Sequence, residues 1–193
     1  MPFGAHETME VHEILNEKIN MINHFAWYMQ NCQDPQLRNM IERHMQTIVS
    51  SYDELVHYTH DYSRARPQAY GMPHTSPQQI NYGLDHPSSK APNLHGQWND
   101  TMIASAVLCA HKNSAKNHMM ASLEIADPNI RQMLVNGAVS CSNQAYEVFR
   151  YMNERGIYQV PKMNDHTAKT FLHTYQPAMQ QMNQTLNQQP QLY

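Results

Sequence analysis

The chain has 193 residues, a formal net charge of −3, 41% hydrophobic residues and only 15% charged ones, which allows a single apolar core plus linkers. Nothing in it forms the basic patch of a nucleic-acid binder, and no apolar stretch approaches the roughly 18 residues of a membrane span. The start, Met1-Pro2-Phe3-Gly4-Ala5-His6-Glu7, lacks the basic and apolar regions of a secretion signal, so synthesis in a cytosol is expected.

Residues 6–32 read as a first helix. Val11, Ile14, Leu15, Ile22, Phe25 and Met29 recur at three- and four-residue steps, and Trp27 and Tyr28 widen the apolar face. The chain then turns at Asp34-Pro35. Asp caps a helix by accepting the free N–H groups of its first turn, and Pro costs nothing at the first helical position. Residues 35–62 read as a second helix, with a seam at Leu37, Ile41, His44, Ile48, Ser51, Leu55, Tyr58 and Tyr62. Residues 63–95 hold Pro67, Pro73, Pro77, Pro87 and Pro92, which exclude a continuous helix. They read as a linker long enough to run the length of a bundle, a crossing required if the second hairpin keeps the direction of the first.

Residues 97–126 read as a third helix, capped at Asn99 or Asp100. Its inward face is traced by Ala104, Val107, Leu108, His111, Ala115, His118, Met119, Ser122 and Ile125. A second Asp-Pro turn follows at Asp127-Pro128. Residues 128–155 read as a fourth helix, with Ile130, Leu134, Gly137, Cys141, Ala145, Val148 and Met152 on its seam and Gly156 as its stop. In the tail, residues 162–193, a short helix is expected over 165–175, capped by Asp165 and docking Phe171, Leu172 and Tyr175; a Gln/Asn-rich end follows.

The chain repeats itself. Asp34-Pro35-Gln36-Leu37-Arg38-Asn39-Met40 and Asp127-Pro128-Asn129-Ile130-Arg131-Gln132-Met133 lie 93 positions apart. The same ungapped offset pairs Thr8 with Thr101, Leu15 with Leu108, Glu54 with Glu147 and Tyr58 with Tyr151. The expected fold is therefore all-α. A duplicated αα-hairpin (6–62 and 97–156) joined by a long crossover (63–95) forms one four-helix bundle over residues 1–161, the topology of ferritin-like proteins.

The second half resembles the coat F family of bacterial spore coat proteins. The resemblance covers roughly residues 97–161. It rests on Asp100 early in the unit, on the turn Ala126-Asp127-Pro128-Asn129-Ile130-Arg131, and on an ending with Met152, Gly156, Tyr158 and Pro161. Ile157 stands where an aromatic residue is expected. The resemblance implies a ferritin-like fold and a structural role in the shell of an endospore. It implies synthesis in the mother-cell cytoplasm, deposition in the coat, and other coat proteins as partners.

A di-metal bundle needs a Glu from each of two helices and Glu-x-x-His on the other two. Glu54-Leu55-Val56-His57 supplies that spacing once, but its repeat counterpart is Glu147-Val148-Phe149-Arg150. His44, His111 and His118 lie on inward faces, where imidazoles could bind zinc, nickel or copper; hydrogen-bonded or partly exposed histidines are the preferred reading. Glu54, His57, His44, His111 and His118 thus remain weak metal candidates, with no catalytic residue and no cofactor expected. Cys32, Cys109 and Cys141 lack metal spacing and read as free thiols in or near a core. Tyr62, Tyr70, Tyr82, Tyr158, Tyr175 and Tyr193, with Gln78, Gln79, Gln180, Gln181, Gln184, Gln188 and Gln189, lie in or beside the linker and tail and are candidates for crosslinking in a shell. The expected function is a non-enzymatic, homo-oligomerising coat component. A metal-dependent oxidoreductase or metal store on the same scaffold, and a helical adaptor for other proteins, are the alternatives.

Overall fold

Each Asp-Pro pair starts a helix as the sequence demands. Asp34 Oδ1 accepts the N–H groups of Gln36 and Leu37 at 2.7 and 3.2 Å. Asp127 Oδ1 accepts those of Asn129 and Ile130 at 2.8 and 3.1 Å. The coordinates, a computed structural model, describe residues 4–61, 79–83, 91–92, 96–175 and 178. Their helices are α1 (Ala5–Asn31), α2 (Pro35–Asp61), α3 (Asp100–Ser122), α4 (Pro128–Glu154) and α5 (Asp165–Leu172). The described chain is all-α, with one isolated bridge between Tyr82 and Val160. Asn99 rather than Asp100 caps α3, its side chain accepting from the Met102 N–H at 2.9 Å.

The interface between α3 and α4 is the most extensive, that between α1 and α2 the next, and the two hairpins meet chiefly along α1–α3 and α2–α4. Two equivalent clasps join them end to end. At one end Tyr151 of α4 donates its hydroxyl to Asp34 Oδ2 at 2.8 Å. Asp100, at the start of α3, accepts the N–H groups of Gln33 and Asp34 at 2.8 and 2.9 Å. At the other end Tyr58 of α2 donates to Asp127 Oδ2 at 2.8 Å, and Glu7, at the start of α1, accepts the Asp127 N–H at 2.8 Å. Tyr58 and Tyr151, Asp34 and Asp127, and Glu7 and Asp100 are all pairs at the 93-residue offset. Each turn is thus held by the other hairpin's first and last residues.

This geometry corrects one expectation. The second hairpin does not keep the direction of the first; it is inverted. The start of α3 lies against the turn between α1 and α2, and the end of α2 lies against the turn between α3 and α4. The connection must cross because of the inversion: α2 ends and α3 begins at opposite ends of helices about 40 Å long.

The core fills two clusters. One is built around Phe25, Leu37, Ile41, Ile103, Val107 and Val148, the other around Val11, Ile14, Leu55, Ile130 and Leu134 near the Asp127 turn. Cys32 and Cys141 are buried and Cys109 is exposed, all as free thiols. Burial and the nearby Asp100 carboxylate push the Cys32 thiol up to about 11.

Three expectations on side-chain placement fail. Met119 faces solvent at 42% exposure, while Ser114, outside the expected inward face, is buried. The short helix α5 is capped by Asn164, which accepts from the His166 N–H at 3.0 Å, rather than by Asp165. Phe171, Leu172 and Tyr175 do not dock among the described residues: they are 68%, 67% and 80% exposed on an eight-residue helix with no buried residue.

Candidate functional site

The repeat keeps its identities at the ends and loses them at mid-height. There the 93-residue offset pairs Lys18 with His111, Phe25 with His118, His44 with Gly137, Ser51 with Gln144 and Ile48 with Cys141. The divergence produces two distinct polar arrays in the interior.

The first joins three helices. His44 of α2 and His111 of α3 are fully buried. Glu147 of α4 receives a hydrogen bond from His44 Nε2 at 3.0 Å, and His44 Nδ1 lies 3.1 Å from His111 Nε2. The hydrogen bond from His44 leads the effects that keep the Glu147 carboxyl below its usual range, with Arg43 at 2.5 Å adding to it. The carboxylate keeps a proton on His44 Nε2, and the contact between His44 Nδ1 and His111 Nε2 holds one further proton between the two rings. Burial, then the neighbouring His44, hold the His111 imidazole well below the usual histidine range. Phe25 closes the far side of His111 edge-on, ring centroids 5.3 Å apart.

The second array centres on His118 and Lys18. His118 Nδ1 donates to the Ser114 carbonyl at 2.9 Å, so its Nε2 carries no proton. Burial, reinforced by the charge of Lys18, lowers His118 to about 3. The ring lies against Gly137: a Cβ there would stand 2.5 Å from His118 Cδ2. Lys18, only 5% exposed, donates to Ser51 Oγ at 2.7 Å. Burial lowers the Lys18 ammonium, partly offset by the Cys141, Glu17 and Glu54 groups nearby. Burial raises the Glu54 carboxyl against the opposing effect of Lys18. Lys18, Ser51, Glu54, Ser114, Cys141 and Gln144 line a cleft of about 880 Å³ that opens between α2 and α4.

The five weak metal candidates do not converge. His44 and His111 meet, His118 belongs to the second array, Glu54 lines the cleft and His57 stands exposed at its rim. Among the described residues no three His, Cys, Asp or Glu side chains gather as a metal site. The sequence reading placed His44 and Glu147 on their helices without joining them; the join needs the inversion, which no local pattern encodes. It passed over Lys18 altogether, because a lysine that follows Glu17 on a helix gives by itself no sign of burial. Of the crosslinking candidates, Tyr82 and Tyr175 are exposed, Tyr158 is half-buried and Gln79 is exposed. The remainder, Tyr62, Tyr70, Tyr193, Gln78, Gln180, Gln181, Gln184, Gln188 and Gln189, lie outside the described residues.

The motif that closes α4 is structural. Gly156 takes φ +69°, where side chains are strained, and the N–H groups of Ile157 and Tyr158 fold back onto the Met152 carbonyl at 2.8 and 3.1 Å. Ile157, at the expected aromatic position, packs on the core cluster as a half-buried apolar residue. Tyr158 meets Phe149 edge-on and Lys112 through its ring face. Buried Asn153 accepts the Asn81 N–H at 2.8 Å and donates to the carbonyls of Asn81 and Tyr158 at 3.0 and 2.9 Å. It ties residues 79–83 of the connection to the end of α4.

Asp100, the Asp127 turn and the Gly156 ending thus each perform a definable task at a helix end, and together they mark a class of helical protein. Residues 99–161 match the Coat F domain. The chain is 29% identical over 183 residues to the spore coat protein F-like protein YhcQ of Bacillus subtilis (strain 168), covering 94% of this chain and 84% of that one. Its fold is similar to the crystal structure of a candidate spore coat protein from Bacillus halodurans. The TM-score is 0.63 at 12% identity, over 86% of this chain and 97% of the other.

Proposed function

We propose that this protein is a structural component of the endospore coat, built as a ferritin-like four-helix bundle over residues 1–161 and assembling through contacts with copies of itself and with other coat proteins. It carries no catalytic activity in this reading, is made in the mother-cell cytoplasm and is deposited in the coat. The observation that supports it best is where the family motifs act. Asp100, Asp127 and Gly156 close the ends of the bundle and hold its shape. They contribute nothing to the mid-height arrays, where a ferritin-like enzyme would keep its ligands. Low charge, with few like-charge repulsions, suits close packing between copies.

Light scattering with size-exclusion chromatography tests the assembly. Concentration-dependent oligomers are expected, and their loss on reduction would point to exposed Cys109. A strict monomer at high concentration would contradict self-assembly. One observation favours the adaptor as a second reading: α5 presents Phe171 and Leu172 to solvent, and among the described residues none covers them. A stable complex of one copy with one partner, without self-association, would shift the function to it. The oxidoreductase reading requires a second Glu-x-x-His, and the second repeat has Arg150 in that place. Stoichiometric iron or manganese in purified protein would revive it.

A further inference from the structure

The contacts that join the two hairpins are ones a second copy of the chain can make equally well. Within each hairpin the helices pack more extensively than the hairpins pack on one another. At both ends the hairpins meet through the same clasp: a Tyr reaches the turn Asp, and Glu7 or Asp100 holds the backbone of the turn. The clasps therefore do not distinguish one hairpin from the other. The mid-height residues do. Docked on another copy of itself, hairpin one (5–61) would set Lys18 at the place of His111, against His44. Both residues are buried, so two lysines would be enclosed instead of one, and an unpaired buried charge is strongly destabilising. Docked on itself, hairpin two (100–154) would set Gly137 at the place of His44. His111 and Glu147 would lose the imidazole that joins them and face a void. Hairpin one with hairpin two is the combination that fills and satisfies the interior.

The connection does not oblige the two hairpins to come from one chain. Asn81 and Gly83 are bonded to hairpin two and its ending, through Asn153 and Val160. The end of α2 lies at the opposite end of the bundle, about 40 Å away. About 20 residues separate Asp61 from Asn81, and they reach up to about 70 Å. We propose that hairpin one of one copy docks on hairpin two of a neighbouring copy, selected by the His44–His111–Glu147 array. Exchange in both directions closes a dimer, and exchange passed from copy to copy builds an open chain. The proposal rests on the self-assembly put forward for the coat component and supplies the surface for it. A tether of this length presents the chain's own hairpin at an effective concentration on the order of millimolar, so exchange sets in as the protein approaches that density.

The test uses the full-length chain carrying Arg43→Lys. Arg43 pairs with Glu147 across the two hairpins, and in this variant a carbodiimide joins position 43 to Glu147 by an amide bond. Equal amounts of unlabelled and isotope-labelled chain are unfolded and refolded together at about 10 μM or about 1 mM, on either side of the effective concentration. Both are diluted to the lower concentration immediately before cross-linking, which removes chance collisions. Refolding at the lower concentration should give cross-linked peptides of matching isotope. Refolding at the higher one should raise the mixed-isotope pairs at least roughly fivefold. Matching pairs alone at both concentrations overturn the exchange. If scattering still shows oligomers in that case, self-assembly through other surfaces stands; a monomer at the higher concentration overturns both. Selection by the array is read from a refolded mixture of His44→Glu and Glu147→His chains, in which exchange restores one His–Glu pair in each bundle. Native mass spectrometry should show the mixed dimer well above its statistical share, and a statistical or smaller share overturns the part given to the array.

Discussion

Gly137→Ala isolates the contact that separates the two halves of the repeat. The added Cβ would lie 2.5 Å from His118 Cδ2 and 3.1 Å from Nε2, whereas carbon atoms pack at about 3.5–4.0 Å. The ring cannot retreat freely, because Nδ1 is bonded to the Ser114 carbonyl at 2.9 Å and the side chain is 1% exposed. Overpacking of this kind costs about 1–3 kcal/mol, and a displaced ring that gives up its buried hydrogen bond adds about 1–3 kcal/mol. Against this, alanine gains about 1 kcal/mol over glycine within a helix. The net expectation is a loss of about 3 kcal/mol. With a urea slope of about 2 kcal/mol/M, the unfolding midpoint should fall by about 1.5 M. In a His118→Ala background the obstacle is gone, and Gly137→Ala should then raise the midpoint. Urea denaturation of the four proteins of this cycle is the assay. A Gly137→Ala protein as stable as its parent, or a cost unchanged by His118→Ala, would refute the reasoning.

The remaining predictions concern the clasps, the interior histidines and the connection. Tyr58→Phe and Tyr151→Phe each remove a 2.8 Å hydrogen bond to an Asp carboxylate and should each cost about 1.5–3 kcal/mol. Lying at opposite ends, they should add to within about 0.5 kcal/mol in chemical denaturation, and marked non-additivity would contradict independent clasps. His118, lowered to about 3, and His111, also lowered, stay neutral in the folded chain where the unfolded chain takes up protons. Stability attributable to them is full above pH 6.5 and drains as pH falls from 6.5 toward 3, by up to about 1.4 kcal/mol per unit and group. Denaturation midpoints that do not move between pH 7 and 5 would exclude it. Asn153→Ala should raise hydrogen exchange at Gly83, whose N–H is bonded to the Val160 carbonyl at 2.9 Å, while leaving α1 unchanged. Equal protection of Gly83 in both proteins would show that Asn153 does not hold the connection.

The helices were legible because their ends are written locally. An Asp-Pro pair determines the start of α2 and of α4 within the first turn, and Gly156 determines the stop of α4, through short-range steric and hydrogen-bonding rules. The clasps were half legible: the offset paired Tyr58 with Tyr151 and Asp34 with Asp127, yet each Tyr reaches the Asp of the other repeat, which only the inverted docking reveals. The mid-height site was the least legible. Lys18 and Gln144 are polar residues on helices whose register leaves them inside, and their burial follows from how two hairpins meet rather than from either hairpin's pattern. In α5 the error ran the other way. Phe171 and Leu172 have the spacing of a docking face, and spacing alone does not supply a surface to dock on.

The central claim is that this chain is part of the coat. The direct measurement is fractionation of purified endospores into coat, cortex and core extracts, with quantitative mass spectrometry of peptides from this protein in each. The account predicts the protein predominantly in the coat extract, with peptides from the exposed α5 segment recovered as well as those from the bundle. Recovery chiefly from the core, or from growing cells with none in the coat, would contradict it.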